Sequence, residues 1–129
     1  MILMVDDDPD FVSVHRAILD KEGYEVVLAD TQKEAENIIK KVKPDLMITE
    51  IILENKDSGF VLCNTLKNRY PKVPIIIYTS VTAKTGMKFE LNTDDDKKWI
   101  KADVFLNKGI DRDNFIKEVK NLLENEIVI

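Results

Sequence analysis

Three consecutive carboxylates, Asp6, Asp7 and Asp8, follow a short apolar run over residues 2–5 and lead straight into Pro9. The end of a strand is where an open α/β sheet gathers its chemistry. Adjacent acids repel one another there and raise each other's pKa unless a cation lies between them. Oxygen donors of this kind suit a hard ion such as Mg²⁺. Asp8-Pro9 has a second explanation, since aspartate is a favoured helix N-cap and proline a favoured first helical residue. Asp8 is therefore assigned to capping, and Asp6 and Asp7 remain as candidates for chemistry. Three later run-ends carry compatible groups: Glu50 after residues 46–49, Thr79 with Ser80 after residues 75–78, and Lys108 shortly after residues 104–106. Acids that hold a metal, a lysine that balances phosphate charge and a hydroxyl that bonds a phosphoryl oxygen suit a site for Mg²⁺ and a phosphoryl group.

The elements that must position these groups alternate along the chain. Residues 2–5 read as a strand. Residues 9–22 read as a helix with Phe11, Val14, Ile18 and Leu19 inward, stopped by Gly23. A second strand covers 24–29. Thr31 then caps a helix, with Glu34 completing a capping box and Ala35, Ile38, Ile39 and Val42 on one face until Pro44. The third strand, 46–49, is almost wholly apolar, as expected for a strand covered on both faces. A polar loop over 54–59 leads to a helix ending near Arg69. The fourth strand is 75–78 and the fifth 104–106. Phe115, Ile116, Val119, Leu122 and Leu123 mark a closing amphipathic helix. The stretch from Thr79 to Asp103 has a poor apolar period and is long for one connection. A helix is expected near 96–101, with Asp94 to Asp96 at its start as capping and solvation. Strands interleaved with helices imply a parallel sheet with right-handed crossovers. The expected architecture is α/β and flavodoxin-like, a doubly wound five-stranded sheet of order 2-1-3-4-5 with helices on both faces. Its switch point lies between the first and third strands, so their ends flank one crevice.

Composition narrows the function. At 129 residues, 44% hydrophobic and 33% charged, the chain fits one globular domain. A net charge of −5 argues against nonspecific binding to nucleic acid or an anionic membrane. No apolar run reaches the roughly 18–20 residues of a membrane span, and the first five residues lack the length and basic flank of a signal peptide. One cysteine, Cys63, excludes an internal disulfide and a multi-cysteine zinc site; beside Leu62 and Leu66 it reads as a small core residue. A cytoplasmic protein is the default expectation. The lone His15 falls on an exposed-looking helix position, and there is no Ser/His or Cys/His arrangement.

Four pieces of text, VDDDP, PDLMITEI, VPIIIYTS and ADVFLNKG, occur in this order at the ends of the first, third, fourth and fifth strands. Together they resemble the receiver domain of two-component response regulators, over nearly the whole chain. The resemblance implies a single receiver domain over residues 1–129 with no output domain. It implies Mg²⁺ bound by the acidic pair Asp6 and Asp7 with the acid at position 50, a phosphoryl contact and switch at Thr79, a second phosphoryl contact at Lys108 and a mobile switch aromatic at Phe105. It further implies a histidine kinase or phosphotransfer protein upstream, a downstream protein target, no direct contact with nucleic acid and no membrane. Receivers often pair through the face of their fourth and fifth helices, so a homodimer is an open alternative.

The central position departs from the family pattern. The phospho-acceptor there is an aspartate, whose carboxylate takes phosphoryl from a partner's phosphohistidine to give an acyl phosphate; this chain has Glu50. The extra methylene pushes the carboxylate toward the space of the metal or phosphoryl group, and such misplacement removes orders of magnitude of rate. Other departures are Glu54 where proline is usual, a loop one residue longer, Gly109 instead of proline after the lysine, which favours a trans or more mobile loop, and the long 79–103 stretch. The expected function is an atypical, non-enzymatic receiver acting by protein contact and not phosphorylated in the ordinary way, since Glu50 imitates the phosphorylated state in part. The alternative is a working phospho-receiver with Mg²⁺. A more remote one is a phosphatase-like enzyme on a similar sheet, which Asp6-x-Asp8 suggests and the lack of its further motifs opposes.

Overall fold

The computed structural model describes residues 1–80 and 101–124. Five parallel strands, β1 (Ile2–Val5), β2 (Val26–Ala29), β3 (Leu46–Thr49), β4 (Ile75–Thr79) and β5 (Val104–Asn107), form one sheet of order β2-β1-β3-β4-β5. The register sets Val5 beside both Ala29 and Thr49, and Thr79 beside Asn107. The strand ends that precede Asp6, Glu50, Ser80 and Lys108 thus lie along one edge of the sheet. Strand order and helix placement are those expected from the sequence. The helix expected near 96–101 lies outside the described residues.

Both faces are covered, which is why the central strands β1, β3 and β4 are buried at every position and mostly apolar. Successive side chains point to opposite faces. Leu3, Val5, Met47, Ile75 and Ile77 join a core with Ala35 and Ile39 of α2 (Gln32–Lys41) and Leu62, Cys63 and Leu66 of α3 (Ser58–Arg69). Ile2, Met4, Leu46, Ile48, Ile76 and Tyr78 join the opposite core with Val12 and Leu19 of α1 (Pro9–Lys21) and Phe115 and Val119 of α4 (Arg112–Glu124). Cys63 is a buried core residue, and burial pushes its thiol up to about 12, so it stays protonated.

The helix starts follow the capping signals. Asp8 Oδ1 accepts from the backbone N–H groups of Asp10 and Phe11 at 3.1 and 3.2 Å, with Pro9 beginning α1. Thr31 Oγ1 accepts from Glu34 N–H at 3.0 Å, and Glu34 Oε2 accepts from Asp30 N–H, one residue before the cap. One inward assignment on α1 is corrected. Val14 is 57% exposed, and the inward position between Phe11 and Ile18 belongs to His15, which is partly buried. The Phe11–His15–Ile18 spacing places these three on one face, whereas Val14 lies about 100° away from His15.

The loop after β3 is tied down at two points. Glu54 reaches α2, its carboxylate accepting from Gln32 N–H at 2.6 Å and Lys33 N–H at 3.2 Å. Burial works against its charge, but these two N–H groups and its own outweigh that and hold its pKa below the usual carboxylate value. The second tie is Gly59, whose N–H donates to Ile51 O at 2.8 Å. A Cβ at this position would lie 2.3 Å from Glu50 O and 2.7 Å from Ile51 Cα. Those are backbone atoms, which cannot swing aside. Gly59→Ala is therefore expected to destabilise the protein by about 1–3 kcal/mol, read as a lowered urea midpoint; an unchanged midpoint would mean that the loop after β3 yields without cost.

Candidate functional site

The crossover order brings the ends of β1, β3 and β5 together. Asp6 N–H donates to Ala29 O at 3.1 Å and Glu50 N–H to Val5 O at 3.0 Å, extending the ladders by one residue. Lys108 N–H donates to Thr79 O at 2.9 Å, fixing the lysine beside the end of β4. From there the Lys108 ammonium bridges two acids, 2.8 Å from Asp6 Oδ2 and 3.1 Å from Glu50 Oε2. Asp6 and Glu50 are both buried, at 4% and 6% exposure. Two carboxylates so far out of water need a cation, and the lysine supplies it.

Each acid is also bonded to the backbone. Asp6 Oδ1 accepts from Asp8 N–H at 3.0 Å. Glu50 Oε1 accepts from Ile51 N–H at 2.8 Å, and Oε2 receives Ser80 N–H at 3.4 Å. Burial nevertheless raises the pKa of Asp6, more than Lys108 and the Asp8 N–H lower it. Burial pulls the Lys108 pKa down, but its bonds to Asp6 and Glu50 outweigh this and raise it, so the ammonium stays charged. Asp7 is exposed on the rim. Thr79 is buried at 5% exposure. Phe105 is half-buried, paired in register with Ile77 and packed against the α2–α3 core. The described peptide bonds, including that into Gly109, are trans.

The structure thus brings together Asp6, Glu50 and Lys108, with Thr79 alongside, and sets Asp7 outward. Among the described residues no three acids lie close enough to hold a metal ion by themselves. Mg²⁺ commonly takes only one or two carboxylates and keeps several waters. The hard oxygens of Asp6 and Asp7 fit that donor set, provided Lys108 yields its place on Asp6.

An aromatic platform that the sequence reading missed underlies the lysine. Its ammonium lies 4.1 Å from the centre of the Phe11 ring. Phe11 stacks on His15 at 3.9 Å, and Tyr78 stacks on Phe115 at 5.1 Å. His15, read from sequence as exposed, is bonded through both ring nitrogens, to Phe11 O at 2.9 Å and Tyr78 Oη at 3.1 Å. The four-residue spacing of Phe11 and His15 was the available signal.

Removing the shared cation tests this arrangement. Lys108→Met would leave Asp6 and Glu50 buried without compensation. The lysine side chain keeps 15% of its surface exposed, so the lower end of the range for a broken buried pair applies, about 3 kcal/mol at neutral pH. Losing the cation removes what lowers the Asp6 pKa and leaves burial to raise it further above its unfolded value, and for an acid that costs stability above the folded pKa. The deficit should therefore shrink as pH falls through that pKa. Denaturant titrations of metal-free protein at several pH values check this; a small, pH-independent loss would contradict it.

The model of the response regulator receiver domain matches residues 2–120. The response regulator GtcR of Aneurinibacillus migulanus is 33% identical over 123 residues, covering 95% of this chain and 43% of that protein. The chain spans less than half the length of the curated relatives it matches. A two-component response regulator from Clostridium difficile superposes with a TM-score of 0.80 at 27% identity, covering 98% of each chain. The fold is shared with TrrA of Thermotoga maritima, solved in complex with Mg²⁺-BeF, at a TM-score of 0.76 and 24% identity, covering 95% of this chain and 97% of that one. With its sheet order, its acid–lysine cluster and this match over most of its length, the chain belongs to the response regulator receiver family of two-component signalling.

Proposed function

We propose that this receiver signals through protein contact without an ordinary phosphorylation step, because Glu50 already fills the anion position of its site. The observation that supports this reading is the setting of the Glu50 carboxylate. It takes the Lys108 ammonium at 3.1 Å, Ile51 N–H at 2.8 Å and Ser80 N–H at 3.4 Å. A phosphoryl group entering beside Thr79 and Lys108 would need these same kinds of donor. One carboxylate carries less charge and fewer acceptor oxygens than a phosphoryl group, so the substitution imitates the modified state only in part.

Asp6 and Asp7 are the proposed Mg²⁺ ligands, with water completing the shell. When bound, the ion would supply positive charge for a phosphoryl group. Its binding competes with Lys108 for Asp6, so the protein must give up an ion pair to take the metal. Thr79 and Phe105 are the proposed switch residues, and Lys108 is the cation that distinguishes a filled from an empty anion position. The partners that suit the family are a histidine kinase or phosphotransfer protein and a downstream protein target.

Intact-mass measurement after incubation with acetyl phosphate and Mg²⁺ separates the two readings. The expected result is no phosphoryl adduct on the native protein and one adduct on Glu50→Asp. An adduct on native Glu50 would overturn the proposal and leave a working phospho-receiver.

A further inference from the structure

The chain has one histidine, His15, and the structure gives it a place that capping, core packing and the acid–lysine cluster do not explain. Its Nδ1 lies 2.9 Å from the Phe11 carbonyl. A carbonyl only accepts, so Nδ1 carries a proton. In the neutral ring Nε2 is then an acceptor, and the Tyr78 hydroxyl 3.1 Å away donates to it. Tyr78 is 1% exposed, and burial pushes its hydroxyl up to about 12, so it keeps that proton. The imidazole lies edge-on to the Tyr78 and Phe115 rings, at 82° and 88°. Its flat face stacks on Phe11.

Phe11 is what links this histidine to the site. Its ring has the imidazole 3.9 Å from its centre and the Lys108 ammonium 4.1 Å from its centre. A stacked ring at that distance leaves no room for an ammonium on the same face. The benzene ring is therefore held between the two. The lysine that bridges Asp6 and Glu50 rests on a ring whose other face is set by His15, and His15 is set in turn by Tyr78 and the Phe11 carbonyl.

We propose that His15 is a proton-sensitive positioning residue for Lys108: neutral, it holds the Phe11 ring under the ammonium, and protonated, it loosens the lysine from Asp6 and Glu50. Two physical consequences of protonation carry this. Nε2 becomes a donor facing the Tyr78 hydroxyl, which must turn to accept and leaves its own hydrogen without that partner inside the packed core. The new imidazolium also places a second cation on a ring whose π face already serves one.

The charged groups acting on His15 come from two sides, Lys108 after β5 opposing protonation and Asp6 at the end of β1 favouring it. β4 presents the neutral Tyr78 and α4 the uncharged Phe115. Burial dominates and holds the imidazole below its ordinary 6.5, so the neutral form prevails at pH 7 and protonation is displaced to lower pH. This inference rests on the receiver reading only for what Lys108 serves. It stands whether or not Glu50 accepts phosphoryl, and its test uses neither metal nor phosphodonor.

NMR of the metal-free protein decides it. The ¹⁵Nζ shift of Lys108 and the Cε1–H shift of His15 are followed from neutral to mildly acidic pH. The expected result is a Lys108 transition with the same midpoint as the imidazole, lost in the double variant His15→Phe, Tyr78→Phe, which keeps a stacked ring and removes the titrating imidazole together with its hydroxyl partner. A flat Lys108 signal through the imidazole titration overturns the proposal. So does an unchanged transition in the double variant, which would assign it to the carboxylates. Should the double variant fail to fold, Phe11→Leu decides, since it removes the shared ring and neither titrating group. Lys108 should then cease to follow His15, and continued following overturns the proposal.

Discussion

The ion triad of Asp6, Lys108 and Glu50 is the constraint on which the rest of the site depends. Two buried acids and one cation leave a net negative charge at the carboxyl edge of the sheet, where the strands end and water is partly excluded. No single element could build it. Asp6 follows β1, Glu50 follows β3, and Lys108 follows β5, which is two strands away from β3 in the sheet. The lysine reaches across because its backbone is pinned to Thr79 at the end of β4, between them. The parallel crossover order is thus what makes the triad possible, and the triad offsets the desolvation that the same order imposes on the acids.

The loop after β3 shows how tightly the acid's position is specified. Gly59 lets the start of α3 approach the Glu50 carbonyl more closely than any side chain would permit. Glu54 fastens the other part of the loop to the first turn of α2, where free N–H groups favour a carboxylate. A proline at position 54 would stiffen the loop through its own backbone. Glutamate instead uses a side chain to tie the loop to a neighbouring helix, so two different chemistries can serve one need for rigidity.

Much of this was legible before the structure. Continuous apolar strands, alternating helix patterns and capping signals at Asp8 and Thr31 gave the sheet order and the run-ends that meet at the site. Local chemistry sufficed there, because each signal lies within a few residues of its effect. The unread parts all depend on distant partners. His15 is polar, and its burial is decided by Tyr78 and Phe115, 63 and 100 residues further along. Glu54 looked like a mere departure because its partners at Gln32 and Lys33 precede it by about twenty residues. The Ser80 N–H that meets Glu50 is a backbone group and leaves no mark in the sequence.

The extra methylene of Glu50 gains its meaning from these distant partners. A longer side chain in open solvent would disperse over rotamers at an entropic cost of order 1 kcal/mol or more to fix. Here both carboxylate oxygens are bonded, one to the next residue's own N–H and the other to Lys108 and the end of β4. The first bond bends the side chain back over its own backbone, which takes up the added length. The second turns the carboxylate toward the cation. A nucleophile needs an oxygen lone pair directed at an incoming phosphorus atom, whereas both oxygens here are directed at donors inside the protein. On the proposed reading, the same bonds that stabilise the longer acid oppose its use as a phosphoryl acceptor.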